Sequence, residues 1–230
     1  MGRDDYVALV ASLPALGPML AAKAAPISAP RLEQRLRALS PEHREELDAM
    51  RSLIVFPRSS TPEEDAAFLR RARRVIATLT SPSIGKFVRE RLELRTLIAA
   101  LRRRAAGEDA PRPDEDWGYG RFVRRMRENW REPGFGVDRA FPMVRPAREA
   151  LDKGDSAALE RIALEAAWKA ADRIARRHAF DFEAVALYVA RWHLLQRWTR
   201  YDADAAAARF STLVDAALAS APADAMEALR

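Results

Sequence analysis

Three times between residues 40 and 82 a hydroxyl side chain stands immediately before a proline: Ser40-Pro41, Thr61-Pro62 and Ser81-Pro82. A hydroxyl at the N-cap accepts a hydrogen bond from a first-turn amide. Proline at the next position costs little, because its missing N–H would have had no intrahelical partner. Each pair therefore predicts a helix start. The middle one is the strongest, since Thr61-Pro62-Glu63-Glu64 adds glutamate at the third helical position and completes a capping box. Such closely spaced starts, with few β-branched runs and little period-two alternation, confine the chain to an all-α fold. We expect a bundle of about eight or nine helices, with room for two stacked subdomains.

The remaining punctuation fills in the order of elements. Tyr6 to Leu13 is a short apolar segment, helix or strand by periodicity alone, ended by Pro14 and a proline-rich connector to Pro26. Ser28 reads as the N-cap of a helix through Leu32, Leu36 and Leu39; Ser40 opens one carrying Leu47, Met50 and Ile54. The helix from Pro62 carries Phe68, Leu69, Ala72, Val75, Ile76 and Leu79, and Ser81-Pro82 opens the next.

Residues 107–120, GEDAPRPDEDWGYG, concentrate proline, glycine and acid. They read as a linker between an N-terminal helical subdomain, 1–106, and a C-terminal one, 121–230, packed as one unit. Beyond it we expect a helix from about Tyr119 to Arg131, the turn EPGFG, and a segment in which Pro142 and Pro146 limit regular structure. Gly154-Asp155 then marks a C-cap followed by an N-cap. Ser156 to His178 is a long helix with an alanine face (Ala163, Ala166, Ala167, Ala170) suited to close approach of another helix. Phe180-Asp181 caps a nearly all-apolar helix to Trp198, with Phe180 and Val185 as a hydrophobic staple. A last helix, Asp202 to Ser220, is amphipathic through Phe210, Leu213, Val214 and Leu218, with a fraying tail.

The helix from Ser81-Pro82 holds the feature that bears on function. At 100° per residue, Ile84, Phe87, Val88, Leu94, Ile98 and Leu101 form one apolar stripe, and Arg91 and Arg95 fall on that same face. Guanidinium groups stay ionised, so the two require either acids from neighbouring helices, with Glu165, Asp172 and Glu183 as candidates, or a surface open to another molecule.

The chain carries a net charge of +6, and 13 basic against 8 acidic residues between Ile84 and Arg131 supply nearly all of it. This points to an acidic partner. Arg102, Arg103 and Arg104 end one helix, where the macrodipole favours cations. With Arg121, Arg124, Arg125 and Arg127, and with Trp117, Tyr119 and Trp130 interleaved, they form a candidate nucleic-acid patch. Lys86-Phe87-Val88-Arg89-x-x-x-Glu93 also recurs as Arg121-Phe122-Val123-Arg124-x-x-x-Glu128, a faint internal repeat.

The absence of cysteine excludes disulfides, thiolate catalysis and cysteine-dependent zinc sites. No phosphate-cradling loop, dinucleotide fingerprint, HExxH or nucleophile elbow is present. His178 near Asp181, and His193 among Trp192 and Trp198, read as structural. No apolar run approaches the ~20 residues of a membrane span, and the opening MGRDDYVALVASLP is too acidic for a secretion signal. We therefore expect no catalytic residue, cofactor or metal, and an intracellular location.

The opening Tyr6-Val-Ala-Leu-Val-Ala-Ser-Leu-Pro14 with Pro26-Ile27-Ser28, the Phe87 to Arg104 segment, Glu128-Asn129-Trp130 to Gly136, Lys153-Gly154-Asp155 and the Phe180 to Trp198 helix together resemble an uncharacterised bacterial family encoded beside V/A-type rotary ATPase subunits. That resemblance implies a non-catalytic accessory or central-stalk adaptor of a V/A-type ATP synthase, a counterpart of the helical socket that couples the central shaft to the membrane ring. Its partners would be rotor or stalk subunits rather than a small-molecule substrate. It would be cytoplasmic and held at the inner face of the membrane through the complex. The candidate interaction surface is then Arg91, Arg95, Arg102, Arg103, Arg104, Arg121, Arg124, Arg125 and Trp130. The alternative is an arginine-rich helical module for nucleic acid.

Overall fold

The computed structural model of the chain describes residues 3–55 and 62–220, with side chains over 6–55 and 64–201, and within them every regular element is helical. In order these are α1 (Arg3–Ser12), a 3-10 turn (Met19–Ala21), α2 (Ala29–Leu36), α3 (Pro41–Ile54), α4 (Pro62–Thr78), α5 (Pro82–Ala105), α6 (Val123–Glu128), α7 (Val144–Asp152), α8 (Ser156–Ala175) and α9 (Phe182–Ser220). The fold is thus all-α, as expected. Tyr6 to Leu13 resolves as helix.

The hydroxyl-proline starts have the predicted chemistry. Ser40 Oγ accepts from the amide of His43 at 3.4 Å and Ser81 Oγ from that of Ile84 at 3.3 Å, each with proline next in the helix. Pro62 begins α4. The Thr61 cap, and the apolar face Phe210, Leu213, Val214 and Leu218 with the tail beyond it, lie outside the described residues or side chains.

Three local expectations are corrected. The helix expected from Tyr119 is shorter, because Gly120 adopts φ +101° and the chain enters α6 only at Val123. Pro146 does not prevent a helix: it is the third residue of α7, in the first turn, where proline breaks no intrahelical bond. The break expected before Asp202 is absent, and α9 runs unbroken for 39 residues, since no glycine or proline interrupts Thr199 to Ala208. The staple also fails. Phe180 is 47% exposed, while Phe182 is buried and stacks on His43 with ring centroids 4.2 Å apart. Asp181 caps α9 as read, accepting from the amide of Ala184 at 2.8 Å.

The core lies in two clusters that do not follow the sequence halves. One gathers α1 to α4 and the end of α8 (Ala171, Ile174) around Ile84–Leu92 of α5 and Val185–Trp192 of α9; the other gathers α6, α7 and the first part of α8 around Leu94–Leu101 of α5 and Leu194–Leu195 of α9. Thus α5 and α9 each run through both clusters. α5 is no surface helix with one apolar stripe: Leu92, Leu97, Thr96 and Ala100, off the stripe, are buried too. Nor does 107–120 hang free, because its Trp117 packs in the second cluster and its Tyr119 against the first.

Candidate functional site

Arg95 reaches α4. Its guanidinium pairs with Asp65 at 2.5 Å and lies 4.6 Å above the ring of Phe68. Arg91, one turn earlier, is 7% exposed; the charge of Glu160 of α8 acts on it, as do the guanidinium groups of Arg197 and Arg95. Glu160 is itself gripped by Arg197 of α9 through Nε and a terminal nitrogen. Burial first, and then Arg197, lowers the Arg91 pKa to about 10.

The acids expected for these arginines are engaged elsewhere. Glu165 pairs with Lys169, Asp172 with Arg176 and Arg191, and Glu183 accepts from Ser81 Oγ. Helical spacing places Arg91 and Arg95 on one face but says nothing of which neighbour's acid faces them.

The other arginines of the expected surface have divergent fates. Arg103 bridges Glu108 and Glu115, both at 2.7 Å. Arg104 donates to the carbonyls of Trp130, Glu132 and Pro133 and sits 4.0 Å over Phe135, which holds φ +53° and is fully buried. It thereby fixes the turn that ends α6. Arg121 lies 3.6 Å from Glu93, an ion pair joining the first copy of the repeat to the second. Arg124 pairs with Glu128 on the surface, and Arg102 and Arg125 are exposed. Trp130 is buried, its indole N–H donating to the carbonyl of Glu108, with Trp117 edge-on at 6.0 Å. The two tryptophans anchor 107–120 and offer no exposed face for stacking bases.

Helical periodicity singles out neither Glu93 nor Thr96, yet these two hold that segment down. Thr96 Oγ1 accepts from the amide of Tyr119 at 2.8 Å and Glu93 from the amide of Arg121 at 3.2 Å. Glycine is required where the segment crosses them: a Cβ on Gly118 would lie 2.5 Å from Thr96 Cγ2, and one on Gly120 2.3 Å from Glu93 Cγ. Two buried polar residues inside an apolar helix are the signal that could have flagged this docking.

Against these supports opens a cleft of about 810 Å³. One wall is a single face of α8: Ile162, Glu165, Ala166, Lys169, Ala170 and Arg173 follow helical spacing. A second wall is Phe87, Glu90, Arg91 and Leu94 of α5, and a third is Phe122 with residues 140–143 and Pro146. Phe122 and Phe141 meet edge to face at 5.3 Å. Ion pairs line the rim: Arg173–Glu90 at 2.6 Å, Lys169–Glu165 at 2.7 Å and Arg121–Glu93. Arg91 also borders a smaller cavity of about 190 Å³ with His193, Arg197 and Arg200.

Among the described residues one grouping, His178, Asp181 and Glu183, has donor atoms within 4.8 Å of one another, the distance a shared metal ion would need. These atoms already serve helix ends. His178 bonds Asp181 and Ser83, each at 2.8 Å, while Asp181 and Glu183 occupy the cap and first turn of α9. No described helix is long and apolar enough to cross a membrane. Compared with known proteins, the chain matches no protein family, no curated sequence and no solved structure.

Proposed function

We propose that this chain is a non-catalytic helical adaptor that works by docking onto another protein, and that a rotor or stalk subunit of a V/A-type ATPase is the partner to which its sequence resemblance points. The cleft carries the docking reading. Its α8 wall presents Ala166 and Ala170, short enough for another helix to approach, and the facing wall offers Phe122, Phe141 and Met143 as adaptable apolar contacts. The pairing of Arg103 and Arg121 with acids, the use of Arg104 on backbone carbonyls and the burial of Trp117 and Trp130 favour a protein partner over nucleic acid, since they subtract charge and stacking surface from the basic patch.

Affinity recovery of the tagged protein at native expression, under mild extraction, tests this reading. Rotor or stalk subunits should co-purify with the wild type and be lost with Ala166→Trp, which fills the cleft. Recovery of no such subunit refutes the ATPase assignment. Recovery that Ala166→Trp leaves unchanged refutes the cleft as the docking site.

A further inference from the structure

We infer that the hollow between the end of α5, the turn after α6 and the last turn of α7 is a binding site for a phosphate monoester, held by Arg104, Arg131 and Arg148. It shares no lining residue with the docking cleft and does not depend on the docking reading. It encloses about 350 Å³, and its lining sets these three guanidinium groups against one carboxylate, Asp152, a surplus of two positive charges. A phosphate monoester carries about 1.5 to 2 negative charges at neutral pH, a match that a carboxylate or a phosphodiester lacks. Buried Leu101 and half-buried Leu151 add apolar contact for the organic group that the phosphate carries.

The helix ends beside the hollow do not consume its cations. The last carbonyls of α5, on Arg102, Arg103 and Arg104, accept from the amides of Ala106, Glu108 and Gly107, and those of α7, on Glu149, Ala150 and Leu151, accept from Lys153, Asp155 and Gly154. Backbone thus closes both C-termini. Arg104 instead donates to carbonyls of the turn after α6 and lies over Phe135, contacts that fix its orientation without cancelling its charge and withdraw it from the outer basic patch. Arg148 meets Asp152, four residues on, at 3.3 Å, an exposed pair of the weak kind. Arg131 is exposed and in no ion pair among the described residues. Burial, and then the like charge of Arg148, lower the Arg104 pKa. A dianion among these groups replaces repulsion with charge-assisted, forked hydrogen bonds, and Arg104, already held, loses little freedom on binding.

The test is isothermal titration calorimetry on the full chain, in chloride buffer of constant ionic strength, with glycerol 3-phosphate, inorganic phosphate and dimethyl phosphate as probes. The first two should bind at one site with a Kd on the order of 1 mM or tighter, and dimethyl phosphate, a monoanion, at least roughly tenfold more weakly. Arg131→Gln and Arg148→Gln should each weaken the two dianions at least roughly tenfold. Arg124→Gln, which lies outside the hollow and pairs with Glu128, should change nothing; circular dichroism checks that all three variants fold. Sedimentation with phosphatidylcholine vesicles containing phosphatidic acid separates the sources. Binding of the soluble esters, lost in the two variants, upholds the site with a free phosphate ester as its ligand; binding of the vesicles alone, lost in the same variants, upholds it with a lipid headgroup. No binding of either dianion or of vesicles, equal binding of dimethyl phosphate, binding that survives both Arg131→Gln and Arg148→Gln, or weakening shared by Arg124→Gln overturns the inference.

Discussion

Replacing Glu46 by alanine should be among the most damaging single changes available in α3. The side chain is 8% exposed, and its carboxylate accepts from the amides of Thr80 at 2.9 Å and Ser81 at 2.8 Å and from the Thr80 hydroxyl. It thus closes the turn between α4 and α5 from the side of α3. It also places negative charge at the N-terminus of α5, whose cap is Ser81. Truncation leaves the buried Ser81 N–H without its acceptor, at about 1–3 kcal/mol. It also removes a charge–dipole term of up to about 2 kcal/mol in a partly buried setting. Thr80 is exposed and rehydrates at small cost. We therefore expect a loss of about 3 kcal/mol.

For a chain of this size that corresponds to a fall in Tm of roughly 6–12 °C. Glu46→Gln keeps one carbonyl acceptor and should lose only about 1 kcal/mol. Urea unfolding followed by circular dichroism reads both variants. A change below ~0.5 kcal/mol for Glu46→Ala would refute the argument that this carboxylate holds the turn.

Two further outcomes follow from local geometry. Gly120→Ala must force a Cβ to 2.3 Å from Glu93 Cγ at φ +101°, and we expect a loss of about 2 kcal/mol or more, whereas Gly17→Ala, with nothing within 4 Å, should be neutral or stabilising by up to ~1 kcal/mol; the paired urea midpoints check this. For His193, burial and then the nearby Arg51 lower the folded pKa from 6.5 to about 4. The unfolded chain therefore binds the proton first: the contribution is intact above pH 6.5 and is lost progressively as pH falls toward 4, by about 3 kcal/mol in all. His193→Leu should flatten that part of the stability–pH curve, and an unchanged slope between pH 6.5 and 4 would show that His193 titrates normally.

The reading of α5 shows how far local pattern reaches. Ser81, Pro82 and the apolar residues after them specify a helix, because capping and helical periodicity operate within a turn or two. Leu92 and Leu97 are buried as well because they enter the two helical clusters, and Thr96 and Glu93 bond 118–121 as that segment folds back across more than 20 residues of chain. Composition marks that segment as a linker because proline, glycine and acid are what a linker uses. A docked strap uses them as well, and Gly118 and Gly120 are small for the sake of contact.

The candidate site is only half legible in the sequence for the same reason. Arg91 and Arg95 stand out as charges on an apolar face from spacing alone, and the alanine face of α8 invites a helix. Which acid meets each arginine is set by the rotation and height of α4 and α8 against α5, which no residue within α5 encodes. Glu165, Asp172 and Glu183 are plausible partners by sequence, but each is engaged elsewhere, Arg95 pairs with Asp65, and the charge of Glu160, itself paired with Arg197, acts on Arg91.

The all-helical class, most helix starts and the two anomalous arginines are thus written in the chain itself, since each follows from interactions between residues a few positions apart. The two-cluster core traversed by α5 and α9, the docking of 107–120, the use of Arg104 and Trp130 as internal fasteners, and the cleft with Arg91 at its base are products of tertiary packing. Those features arise from contacts between distant segments, whose geometry is fixed only when whole helices settle against one another to exclude water and satisfy their buried polar groups.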